Sequence, residues 1–329
     1  MPLEATTTVP RKVRARGAFR RGAPAWHRLV EAGIKLVAAA AIAAILLIFA
    51  FIVKESLPIL FDAVVRREVT LSKMWLPQRW DGAAARWSWQ PASELPKYSI
   101  APLVVGSLKI TLVALAISAP LGILAAIFTA SIAPRRLREV LKPVIELLAG
   151  VPSVVLGVFA LIVLGTWLQR AFGFEHRLNA MLAGAALSMT IVPLIFTLAE
   201  DALSAVPRAF VDASLALGAT KMHTVLRVVV PAAVPGIAAG VVLGFGRAIG
   251  ETMIVVIASG NAALLDASLG HSARTITATI AQEMGEAVNG SPHYVVLFVL
   301  GATLLVFTLA TNLVAQRIVE RFRAQRGGS

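Results

Sequence analysis

The chain has 329 residues, 57% of them apolar, a mean hydropathy of +0.78, a formal charge of +13 and no cysteine. A water-soluble domain of this length cannot hide so much apolar surface, so the composition excludes a soluble domain and selects an integral membrane protein, expected from the six apolar runs below to be all-α and polytopic. The missing cysteines exclude disulfides, thiolate metal sites and cysteine nucleophiles, and in a membrane chain the positive charge is assigned to loops facing the cytosol rather than to nucleic-acid binding.

In chain order, residues 1–32 carry Arg11, Lys12, Arg14, Arg16, Arg20 and Arg21 ahead of any apolar run. They are expected to form a basic cytosolic tail, disordered over the first 25 residues. The run at 33–53 is too long for a signal-peptide core and is expected to be retained as the first transmembrane helix. Residues 54–102 form an extracytosolic loop with Trp75, Trp80, Trp87 and Trp89. Its tryptophans are expected to sit at the membrane–water interface, with docking of an extracytosolic partner as the sharper reading. About 20 apolar residues cross a hydrocarbon core of about 30 Å. On that rule further spans are predicted at 103–132, 144–168, 180–199, 230–259 and 293–316. Pro120 and Pro152 would kink the second and third, and Pro231 and Pro235 fit a first turn or bend of the fifth. Arg135, Arg136, Arg138 and Lys142 mark one inside turn, whereas 260–292 holds only Arg274 among Lys and Arg. Both termini are therefore placed in the cytosol, with Arg317, Arg321, Arg323 and Arg326 anchoring the tail at 317–329.

Two stretches carry chemistry. The polar segment 200–226 contains Pro207, Asp212, Gly218, Lys221 and His223 and is predicted to form two short helices joined near Gly218, where glycine permits a tight turn. Asp212 is expected to pair with a basic group or to cap a helix start. Further on, Arg247 and Glu251 lie inside an apolar span, where an unpaired charge costs at least a few kcal/mol. At i and i+4 they are predicted to share one helix face and to touch. Arg247 is suited to hold two oxygens of an oxyanion at once, with Glu251 neutralising it between turnovers. An ion pair that only locks helix packing is the competing reading. Ser153, Thr190 and Thr252 are candidate neutral donors, although a hydroxyl in a helix usually bonds back to its own carbonyls. Gly240/Gly244 and Gly246/Gly250 have the spacing that lets helices approach closely in lipid. Glu283 and Glu286, one turn apart, are read as a solvated face. The five histidines have no metal-ligand spacing. The chain has no Gly-x-x-x-x-Gly-Lys-Ser/Thr loop to hold nucleotide phosphates.

The run Asp212-Ala213-Ser214, then Gly218, then Val228-Val229-Val230-Pro231, resembles the EAA motif of ABC importer permeases, with Asp in place of Glu. Gly246-Arg247-Ala248-Ile249-Gly250-Glu251-Thr252-Met253 and Val151-Pro152-Ser153-Val154-Val155-Leu156-Gly157 resemble the phosphate-importing members of that family, and the likeness covers about residues 100–316. The resemblance implies a type I, MetI-like permease core at 103–316 with a coupling helix at about 206–226. Asp212, Ala213, Gly218 and Pro231 would serve ATPase coupling, and Arg247, Glu251, Thr252 and Ser153 the substrate pathway. No catalytic or metal-binding residue and no cofactor are implied for this chain; ATP would be used by a partner. The partners implied are a homologous second permease, an ATPase dimer and an extracytosolic phosphate-binding protein, in a bacterial cytoplasmic membrane. Import of inorganic phosphate is the expected activity. A permease for another oxyanion and a proton-coupled secondary transporter are the alternatives.

Overall fold

The structure is a computed structural model and describes residues 25–79 and 85–327. Residues 1–24 (which hold the six basic residues singled out in the expected tail), Trp80 and the side chains of Arg321, Arg323 and Arg326 lie outside the described residues. Among the described residues, six helical segments are long and apolar enough to cross a membrane: Leu29–Phe61, Ala101–Ile132, Ser153–Phe172, Ala180–Ser204, Lys221–Gly250 and Pro292–Val314.

The chain divides after Phe51 into two units. The first is described by α1 (Ala25–Ser56), whose apolar side chains, such as Leu36 and Leu46, stand exposed as a lipid-facing helix requires. The second begins with short helices α2 (Pro58–Phe61), α3 (Ala63–Glu68) and α4 (Leu71–Trp75). An antiparallel pair follows, β1 (Trp89–Gln90) with β2 (Lys97–Tyr98), in which Trp89 faces Tyr98. These elements and the start of the last span enclose one core, with Met74, Ile100, Leu103 and Leu297 fully buried.

The centre of this unit is α9 (Ala180–Ser204), the most enclosed span, packed against α5 (Ala101–Ile127) and α12 (Val230–Gly250). Small residues make this possible. A Cβ on Gly184 would stand 2.5 Å from Val113 Cγ1, and one on Gly244 would stand 3.0 Å from Ile191 Cγ2. The predicted close approach therefore holds at Gly240 and Gly244, while Gly250 faces open space.

The first, third and fifth spans differ from the sequence expectation at their ends: the first runs over Leu29–Phe61 and so takes residues from both the expected tail to 32 and the expected loop from 54, and the fifth begins at Lys221 rather than at 230. The third span begins at Ser153, not at 144, because α6 (Arg135–Ala149) is a separate amphipathic helix with no buried residue. Six charged side chains between Arg135 and Glu146 keep it out of hydrocarbon, and Pro152, at the N-cap of α7 (Ser153–Phe159), holds an extended conformation that ends the run. So Pro152 starts a helix instead of kinking one. The fifth span ends at Gly250, and α13 (Met253–Ala258) follows as a separate helix.

Three π-helical stretches, Phe128–Ile132, Ala160–Leu164 and Val225–Val229, widen the spans. A π turn shifts the backbone ladder and leaves carbonyl oxygens to be satisfied from outside. Arginines do this twice: Arg138 donates to Thr129 O and Ala130 O, and Arg177 donates to Leu161 O and Ile162 O. The chain is completed by α8 (Gly165–Phe172), α10 (Arg208–Ala216), α11 (Lys221–Thr224), α14 (Ile276–Glu283) and α15 (Pro292–Gly327).

Candidate functional site

The polar segment after α9 folds as the predicted pair of short helices, α10 and α11. Pro207 ends the preceding helical path at ψ 132°, and α10 then projects with no buried residue. Gly218 has φ +83° and open space where a side chain would start, so its backbone angle, not crowding, demands glycine. Thr220 caps α11 by accepting from His223 N at 3.2 Å, and the hydroxyls of Ser214 and Thr224 meet at 2.9 Å across the two helices. From Lys221 the chain runs through the π stretch into α12 without interruption, with Pro231 in the first turn of α12. The knob is thus internally clamped and continuous with the fifth span. Asp212 and Ala213 are exposed on α10. Asp212 lies mid-helix, so it caps nothing, and among the described residues no cation lies within ion-pair distance of it.

Arg247 and Glu251 do not form the expected pair. The helix stops at Gly250, and Glu251 is extended at ψ 135°. Its Oε1 accepts from the amides of Thr252 and Met253, both at 3.1 Å, so the carboxylate caps the start of α13. The Glu251 carbonyl accepts from Thr277 Oγ1 at 3.0 Å, which fixes the break to α14. Gly244 packs on Ile191 and Ile195 near the middle of α9, which places Arg247 one turn from that level. Arg247 is exposed, and among the described residues it has no ion-pair partner. Irregular backbone at membrane depth survives only inside protein or beside a water-filled path. Ser153 is half-buried at the start of α7, and α7 packs closely on α13, where a Cβ on Gly157 would be 2.9 Å from Ile257 Cδ1. Residues after the two helix breaks, one following Gly150 and one following Gly250, are therefore brought together. Thr252 Oγ1 reaches Gly250 O at 3.4 Å, and Thr190 is buried and bonds back to Leu187 O at 2.9 Å, as hydroxyls in helices commonly do.

At the opposite end from the knob lies a network that sequence reading missed. Glu283, expected to be solvated, is mostly buried and receives Arg274 Nη2 at 2.7 Å, His293 Nε2 at 2.9 Å and Trp89 Nε1 at 3.0 Å. Burial raises its carboxyl, but the hydrogen bonds from His293 and Trp89 and the charge of Arg274 outweigh it and hold the group below its ordinary value. Trp89 is accordingly a core residue, only 4% exposed, and not an interfacial anchor; Trp75 and Trp87 remain exposed. Nearby, the buried Lys109 of α5 donates to Asp266 Oδ1 at 3.0 Å and Ser268 O at 2.9 Å, and His271 meets Asp266 Oδ2 at 3.0 Å. These contacts hold Asp266 below its ordinary value against the effect of burial, which is the largest single influence. Among the described residues no group of three or more His, Asp or Glu could hold a metal ion.

Residues 118–324 match the family described as the binding-protein-dependent transport system inner membrane component. A probable ABC transporter permease protein, YqgH of Bacillus subtilis, is 39% identical over 235 residues, covering 71% of this chain and 76% of the relative. The phosphate transport system permease protein PstC of Mesorhizobium japonicum is 35% identical over 259 residues, covering 73% and 78%. Among solved structures, a chain of a bacterial ABC transporter involved in alginate import superposes at a TM-score of 0.59 and 13% identity over 89% of this chain and 99% of that chain. A chain of the MetNI methionine ABC transporter superposes at a TM-score of 0.51 and 18% identity over 68% of this chain and 94% of that chain. At these identities the two structures attest the fold alone.

Proposed function

The chain belongs to the binding-protein-dependent transport system inner membrane component family, and from that premise we propose that it is the permease subunit of an ATP-driven importer of inorganic phosphate. Relatives 30–35% identical that are named phosphate transport system permease proteins support the substrate. It is a multi-pass membrane protein. The family implies an ATPase and a substrate-binding partner. The finer assembly we assign is a homologous second permease, an ATPase dimer on the knob and a phosphate-binding protein at the opposite end. The lack of a nucleotide-phosphate loop in this chain supports ATP use by the partner alone. Both termini face the cytosol of a bacterium, a reading supported by the basic cluster at 135–142 and the single Arg274 in 260–292.

The observation that carries the substrate reading is Arg247: an exposed guanidinium about one turn from the mid-level of α9, in a helix whose far end is the knob. Phosphate carries one or two negative charges at neutral pH, and a guanidinium offers two parallel N–H donors to two of its oxygens. Glu251 is held by two backbone amides, so it leaves the charge of Arg247 available to the anion. Ser153 and Thr252 supply neutral donors beside the path. Asp212, Ala213, Gly218 and Pro231 shape and orient the knob that the motor moves. Arg247→Lys retains the charge and loses the fork, so ATP-driven phosphate uptake in reconstituted vesicles is expected to fall roughly tenfold or more, the scale of one lost hydrogen bond to a charged group. Undiminished uptake would remove Arg247 from substrate recognition.

A further inference from the structure

Between the knob and the adjacent ends of the second, fourth and fifth spans lies a cavity of about 500 Å³. Three cations from three elements line it: Arg138 of α6, Arg208 of α10 and Lys221 of α11. One carboxylate, Asp212, faces them. Among the described residues neither Arg208 nor Lys221 makes an ion pair, and Arg138 spends its hydrogen bonds on backbone carbonyls rather than on a carboxylate. The buried Glu200 feels the charge of Arg138 but is already held by Lys142 at 2.7 Å and by Ser204, so the charge around the space is only partly compensated. Its surroundings add to the imbalance: α6 and α10 both begin at a proline without a side-chain cap, and neither has an acidic residue in its first turn. Arg138 and Arg208 thus stand in first turns, where the helix dipole disfavours a cation. The floor is apolar, with Leu203, Val211 and Val229. Like charges drawn together over a partly apolar floor are stabilised by an anion with several acceptor oxygens.

We propose that this cavity is a binding site for a phosphate-type anion, whether free inorganic phosphate or a phospholipid headgroup, and that the bound anion ties the knob to α6. Such an anion would bridge Arg208 and Lys221, on the two helices of the knob, to Arg138, which is fixed to the end of the second span. Occupancy would then set how the knob stands against the spans. The site is separate from the pathway around Arg247 and does not depend on which solute the pathway carries.

The absence of cysteine gives a local reporter. Ser131 is half-buried on the cavity wall, so Ser131→Cys puts the sole thiol of the chain there. The rate of thiol modification is measured in the full-length chain within its assembled complex, in vesicles of phosphatidylcholine with and without added inorganic phosphate, and in vesicles containing phosphatidylglycerol. Protection by inorganic phosphate in phosphatidylcholine assigns the site to the free anion, and protection by phosphatidylglycerol alone assigns it to a headgroup; either supports the proposal. Arg208→Gln and Lys221→Gln are each expected to raise the half-protecting concentration up to about fivefold, the scale of one exposed charge pair, while Arg208→Lys is expected to keep most of the protection. No protection by either source overturns the site, as does protection that survives the double Gln variant. Arg247→Gln is expected to leave protection unchanged, so loss of protection in that variant also overturns it, whereas loss of uptake in Arg247→Lys bears only on the pathway.

Discussion

One carboxylate, Glu283, organises the end of the molecule opposite the knob. It accepts from a guanidinium in the loop before α14, an imidazole of α15 and an indole of β1, and Arg274 Nε beside it is buried without a hydrogen-bond partner. Replacing it with glutamine keeps the volume and removes the charge that Arg274 faces. Glu283→Gln is therefore expected to cost roughly 1.5–3 kcal/mol, the range for a hydrogen bond to a charged group, seen as a lowered thermal midpoint of the detergent-solubilised chain. The pH dependence has a definite sign. The folded carboxyl titrates below its ordinary value of 4.5, so its stabilisation is complete above that value and is lost as pH falls below it. The midpoints of wild type and Glu283→Gln should converge under acid and stay apart at neutral pH; a gap independent of pH would deny the carboxylate its role. None of this was legible in the sequence, because Trp89 and Glu283 are 194 residues apart and a charged pair one turn apart on a short helix reads as solvated. Arg247 was legible, since a charge inside an apolar run is conspicuous. Its separation from Glu251 was not, because i,i+4 spacing makes a pair only while the helix continues, and Gly250 ends it.

At the scale of elements, the packing of α9 against α5 rests on one missing methyl group. A Cβ on Gly184 would meet Val113 Cγ1 at 2.5 Å and Val113 Cβ at 2.6 Å, with Ile110 O at 3.1 Å. Val113 is a β-branched residue inside a helix and has few rotamers to retreat into. Gly184→Ala is thus expected to destabilise by about 1–3 kcal/mol through overpacking, and Val113→Gly in the same chain, which removes both the Cγ1 and the Cβ that the new methyl would meet, should recover part of it. Resistance to unfolding in a denaturing detergent series measures both; additive losses would show that the two residues do not share the contact. Hydropathy found all six apolar segments, since length and apolarity are what a bilayer demands. It misplaced the ends of the first, third and fifth, and in the last two the reason is related. Apolar periodicity continues through α6 into α7 and through α12 into α13, while the breaks are set by local backbone chemistry at Pro152 and at Gly250–Glu251. The knob was legible because Pro207, Gly218 and Thr220 each act within a few residues of their own position, through a fixed φ, a positive φ and a cap.

For the whole molecule, the question is how an event at the knob reaches a charge at the other end of the same helical path. Lys221–Gly250 is one helical path of 30 residues, about 45 Å at 1.5 Å per residue, with Arg247 near its far end. Ser214 and Thr224 lock α10 onto the start of that path, so a push on α10 is delivered to α12 as a rigid displacement, and the Glu251 break is where the displacement can be absorbed. Gly218 is the joint on which this depends. Proline holds φ near −65° and cannot adopt +83°, so Gly218→Pro must rebuild the turn between α10 and α11. The apolar spans are untouched, and membrane insertion should be normal. Phosphate uptake by the reconstituted complex is expected to drop to background while the partner ATPase continues to hydrolyse ATP. Gly218→Ala, which costs only about 1–2 kcal/mol in the left-handed region, should retain measurable uptake. The same assay separates an ATP-driven permease from a proton-coupled carrier working through Glu251: uptake should vanish when ATP is depleted and persist when the proton gradient alone is dissipated. If the opposite occurs, or if Gly218→Pro transports normally, the knob is an inert loop and the coupling route from α10 to Arg247 does not exist.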